Sequence, residues 1–134
     1  MMLPVASLVG SLVACGSTES SNTLAGTYSA TVFTVMPAGQ APINVLAAGG
    51  SLTITIAANN STTGSLAIPA SINGGTAFNA DMAGTASVSG GTVHFQQTAD
   101  TFVRDLTWSH AGTTLSVANQ TAGSASYTIT LTRQ

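Results

Sequence analysis

From Leu24 onward the chain alternates short runs of Thr, Val, Ile and aromatic residues with clusters of Gly, Asn and Ser. No segment keeps the 3.6-residue apolar spacing of an amphipathic helix. Ser51–Ile56 is the cleanest run: Leu52, Ile54 and Ile56 share one face and Ser51, Thr53 and Thr55 the other, as in a strand with one buried and one wet side. Eight such runs can be drawn, near Gly26–Val35, Ser51–Ala58, Gly64–Ile68, Met82–Ser89, Thr92–Gln97, Phe102–His110, Thr113–Val117 and Ala125–Arg133.

Turn chemistry then sets registers. A two-residue turn at Gly90-Gly91, able to take positive φ, pairs Ser89 with Thr92, so that Val88 faces Val93 and Ala86 makes room for Phe95. A turn at Ala111-Gly112 pairs His110 with Thr113 and sets Trp108 opposite Leu115 and Leu106 opposite Val117. Between the fifth and sixth runs a four-residue loop, Thr98–Thr101, spares a β-branched residue from positive φ. Gln97 then faces Phe102, Phe95 faces Arg104 and Val93 faces Leu106, which places one arginine in the inward row of Phe102, Leu106 and Trp108.

Open edges on strands with so little charge would invite pairing with other chains, and closure removes the edges. Sequential strands with mostly short connections predict an all-β fold, an eight-stranded antiparallel up-and-down barrel. A β-sandwich is the alternative, because the longer connections Met36–Gly50 and Pro69–Asp81 could cross between two sheets.

Composition narrows the chemistry. Charged residues are 4% of the 134-residue chain, far below the usual quarter or so, and its two basic residues are Arg104 and Arg133. With no cationic stripe to neutralise phosphates, nucleic acid is not an expected partner. His94, His110 and Cys15 are too few for a common zinc site, and Asp81, Asp100 and Asp105 are scattered, so neither a metal nor a cofactor is expected. The registers put Ser87, His94 and Asp105 in one row, in the order of a nucleophile, a base and an orienting acid. That row lies on the outward face, without a pocket, a glycine-rich elbow or oxyanion donors, so no enzyme is expected.

The residues before Leu24 follow another pattern. The apolar run Leu3 to Ala14 is short of the roughly 20 residues needed to span a bilayer. It ends at Leu12-Val13-Ala14-Cys15, and Gly16 to Thr23 are small and polar with one acid. This stretch resembles the lipobox of bacterial lipoproteins, although Met1-Met2-Leu3 lacks the usual Lys or Arg of an export signal. The resemblance implies a signal peptide over 1–14, lipidation at Cys15, a flexible tether over 16–23 and a single domain over 24–134. It also implies a place in the cell envelope, at the outer membrane or periplasmic face, with the membrane as partner through the lipid anchor.

Within the domain, Gly26-Thr27-Tyr28 and Arg133 resemble the signatures of lipocalin-like bacterial lipoproteins, which usually carry Trp where Tyr28 stands. The resemblance implies that Arg133 closes the barrel over Tyr28 and that residues 36–50 overhang its mouth. It further implies a small apolar or amphiphilic ligand inside. Inward Gly84 and Ala86 would leave room, Trp108 and Phe95 would form the wall, and Arg104 and Gln97 would anchor a polar head. The alternative is a structural or interaction protein, inhibitor-like, with a filled barrel and no small ligand.

Overall fold

The computed structural model describes residues 24–134, and the expected signal peptide, lipidated Cys15 and tether lie outside them. Its strands are β1 (Gly26–Pro37), β2 (Ile43–Asn44), β3 (Ser51–Ile56), β4 (Ser61–Ile68), β5 (Phe78–Asp81), β6 (Gly84–Ser89), β7 (Thr92–Gln97), β8 (Trp108–Ala111), β9 (Thr114–Ala122) and β10 (Ala125–Arg133). A one-turn helix, α1, spans Phe102–Asp105. The ring runs β1-β3-β4-β6-β7-β8-β9-β10 and closes where β10 pairs β1. The protein is thus a closed eight-stranded antiparallel barrel with up-and-down connections, lipocalin-like in architecture.

Each of the eight sequence runs supplies one ring strand. The two long connections are not purely irregular: β2 pairs the upper part of β1, and β5 pairs β4 from Ile68 to Ser65. Both are short flaps on the ring rather than members of a second sheet, which removes the sandwich alternative.

Length and shape come from two bulges. On β1 the register slips between Ala30 and Val32, so the inward residues switch from Tyr28 and Ala30 below the bulge to Phe33 and Val35 above it. Opposite Tyr127 and Ile129, β9 carries a second bulge, where Asn119 takes φ 49, a left-handed conformation that a short polar side chain tolerates.

The β3–β4, β6–β7 and β8–β9 turns share one end of the barrel with the ends of the domain. The longer connections, with β2, a 3-10 turn at Ala70–Ile72, β5 and α1, share the other end. The Gly90-Gly91 register is as expected, with Val88 opposite Val93 and Ala86 opposite Phe95. At the next hairpin the pairing is Ala111 with Thr114 and His110 with Leu115, so the turn is Gly112-Thr113 and the expected pairs Trp108–Leu115 and Leu106–Val117 do not form. Gly112, at φ 60, takes the first central position of that turn, where a two-residue hairpin of this kind needs glycine.

The larger departure is at Phe102–Asp105, expected as strand and found as α1. Thr101 is its N-cap: its hydroxyl accepts the Val103 N–H at 3.2 Å and satisfies a donor that the first turn leaves unpaired. Because the helix uses up these residues, β8 begins only at Trp108, which pairs Val93 in place of Leu106.

Candidate functional site

The interior positions assigned to a ligand are filled. Phe95 and Trp108 are buried and meet edge to face, with ring centroids 5.8 Å apart at 78°. This arrangement suits the ring quadrupoles and leaves no slot between them. Trp108 Nε1 donates to the Val103 carbonyl at 3.2 Å, which ties α1 down over the core. Val103 and Leu106, on and just after α1, are themselves buried and plug the loop end, with Val45 buried beside the core from the β1–β3 connection. Gly84 does not leave room for a ligand either: a Cβ there would overlap the backbone of Gln96 and Gln97, so β7 already occupies that space.

Arg104 is not an interior residue. It sits on α1 with its side chain 37% exposed and pairs with Asp100, four residues earlier. Such an exposed pair contributes at most about 1 kcal/mol. The expected pairing with Phe95 fails because helix, not strand, carries residue 104.

Gln97 is buried as expected, opposite Gly84. Its Nε2 donates to the Met82 carbonyl at 3.4 Å, and that carbonyl also accepts from the Thr62 hydroxyl at 2.8 Å. Its Oε1 has no partner, and interchanging the amide atoms would set oxygen against oxygen. A buried unpaired acceptor costs about 1 to 3 kcal/mol. Gln97→Leu is therefore expected to raise stability by about 1 kcal/mol, read as a higher urea midpoint. A fall of that size would show that the oxygen is partnered by a buried water.

At the turn end, Arg133 pairs Tyr28 in the β1–β10 ladder and folds its stem across Gly26. Gly26, at φ 145, is required twice: for its backbone conformation, and because a Cβ would collide with Arg133 Cδ and Cγ. The guanidinium donates to the Ala25 carbonyl at 3.2 Å, and the Tyr28 hydroxyl donates to the Leu24 carbonyl at 2.8 Å. Burial pushes the Tyr28 phenol up, and the Arg133 cation partly offsets it.

Sequence reasoning missed a second region, a groove at the loop end lined by Phe78, Phe102, Tyr127, Asp105, Asp100 and Asn73, with a volume of about 290 Å³. Phe102 and Tyr127 stack there with centroids 4.3 Å apart and planes at 11°. Burial pushes the Tyr127 phenol up, and the Asp105 carboxylate pushes it the same way. The signal that could have located α1, and with it Asp105 and Phe102, was Thr101 followed by an acid in the first turn, a helix-start pattern.

These phenols predict the alkaline limb of stability. A phenol whose folded pKa lies above its unfolded value of 10.0 keeps its proton longer in the folded state, so its contribution is complete below pH 10 and is lost as pH rises through the folded value. Urea midpoints are expected to fall above pH 10, and Asp105→Asn should lower the Tyr127 pKa in an absorbance titration. An unchanged Tyr127 titration would separate the two groups.

No protein-family model, curated protein or solved structure matches the chain.

Proposed function

We propose that this chain is a lipid-anchored envelope protein that acts as an interaction module, holding a rigid, filled barrel on a short tether and meeting its partner with the loop end. The anchor rests on the lipobox-like Leu12-Val13-Ala14-Cys15 and the polar residues after it. The observation that carries the choice over a small-ligand carrier is the occupancy of the interior: Tyr28, Phe33, Phe95 and Trp108 are each at most 1% exposed. The apolar recess at the mouth, lined by Val35, Ile43, Val45 and Ile68 among others, measures about 170 Å³. Drug-sized ligands usually occupy about 300 Å³ or more.

Two experiments test the two halves of the reading. Cys15→Ser is expected to move the protein from the detergent to the aqueous phase, and unchanged partitioning removes the anchor. In the full chain carrying Cys15→Ser, titration with a medium-chain fatty acid is expected to leave the emission of Trp108, the sole tryptophan, without a saturable change. A saturable shift would restore the carrier reading.

A further inference from the structure

The chain has four Phe, two Tyr and one Trp. Tyr28, Phe33, Phe95 and Trp108 are consumed by the core. The remaining three, Phe78, Phe102 and Tyr127, come from three separate parts of the chain and meet in the loop-end groove. Phe78 is 38% exposed on β5, where its packing against the core is incomplete. Phe102 and Tyr127 also pack against the core, and together with Phe78 they make an aromatic patch on a surface rich in Ser, Thr, Ala and Gly, the kind of patch that marks interaction sites.

The groove also has a charge to satisfy. Arg104 pairs Asp100, and Arg133 lies at the opposite end of the barrel, so among the described residues no cation pairs with Asp105. That carboxylate stands close enough to the Tyr127 phenol to oppose its ionisation. A carboxylate beside stacked rings offers a cation both a charge-assisted hydrogen bond and an aromatic face.

We propose that this groove receives a basic side chain, an arginine in geometry, from a partner protein. A planar guanidinium can continue the Phe102–Tyr127 stack while donating to Asp105, which a compact ammonium cannot do equally well. The groove lies open to solvent, so an isolated arginine should bind it weakly but saturably, and the rest of the partner's affinity must come from the surface around it. The proposal rests on reading the chain as an interaction module. It goes further by naming the site and the chemistry of the partner.

The test uses the full chain carrying Cys15→Ser, isotope-labelled for amide NMR and titrated with N-acetyl-arginine amide. The expected result is saturable shifts at Phe78, Phe102, Asp105 and Tyr127, weakened by salt. Asp105→Asn should weaken the probe at least fivefold, and Ser87→Ala, exposed on β6 towards the turn end of the barrel, should leave it unchanged. N-acetyl-citrulline amide, which has the same shape without the charge, should not bind. No saturable shift with the arginine probe, or equal binding of citrulline, overturns the proposal. Saturable binding of a neutral disaccharide at these residues in place of arginine overturns it too and makes the groove a saccharide site. The fatty-acid titration of Trp108 tests the module reading separately, so failure of one is distinguishable from failure of the other.

Discussion

Replacing Gly64 by alanine is expected to cost about 2 to 6 kcal/mol, among the largest effects of any single methyl group in this barrel. Gly64 sits in β4 at φ 138, and a Cβ there would overlap the carbonyl of Thr53 on β3. Two penalties add. The backbone conformation is one that residues with a side chain occupy at about 1 to 3 kcal/mol, and the steric overlap in a packed ladder costs about 1 to 3 kcal/mol more. Because Thr53 pairs Ser65 and Ile54 pairs Gly64, the strain falls on the centre of the β3–β4 ladder and cannot be relieved by fraying. Gly74→Ala is the control: its φ is 66, but nothing lies within 4 Å of the added atom. It should carry the conformational cost alone. Urea midpoints of the two variants measure the difference, and equal losses would show that β3 and β4 do not approach so closely.

Trp108→Ala is expected to cost about 3 to 5 kcal/mol, the usual range for removing a buried aromatic side chain. The loss has three identifiable parts. Trp108 is 0% exposed, it packs edge to face on Phe95, and its ring nitrogen holds the Val103 carbonyl of α1. Without it, α1 keeps its Thr101 cap, the Phe102–Tyr127 stack and the burial of Val103 and Leu106 but loses its tie to the core, so amide exchange should accelerate first in residues 102–106. Uniform acceleration over the whole barrel would show that α1 is held by something else.

The strand runs and the closure of the ring were legible because strand periodicity and glycine turns are local signals, as at Leu52-Thr53-Ile54 and at Gly90-Gly91. What was not legible depended on competition between local structures. Thr101 could end a loop or cap a helix, and the alternation of Phe102, Arg104 and Leu106 fits a strand as well as the single turn of α1 does. Only the fit of Val103 and Leu106 into the barrel decides it. One displaced element then moved Arg104 to the surface and changed the pairing of Val93. The Gly112-Thr113 turn was shifted for a similar reason: glycine was placed second in the turn, whereas its positive φ is needed first. Gly84 looked like room, but in a barrel a missing side chain is often filled by a neighbouring strand. The loop-end groove was invisible because Phe78, Phe102 and Tyr127 lie far apart in sequence and each has an ordinary role when read singly.

The barrel interior is filled, which leaves the proposed function to the outside. A crystal structure of the full chain carrying Cys15→Ser, taken under xenon pressure beside the same chain with Trp108→Ala, tests it most directly, because xenon enters dry apolar cavities of sufficient size. No ordered xenon is expected among Trp108, Phe95 and Leu115 in the first crystal, and a xenon atom is expected in the space vacated by the indole in the second. Ordered xenon inside the barrel with Trp108 in place would contradict it.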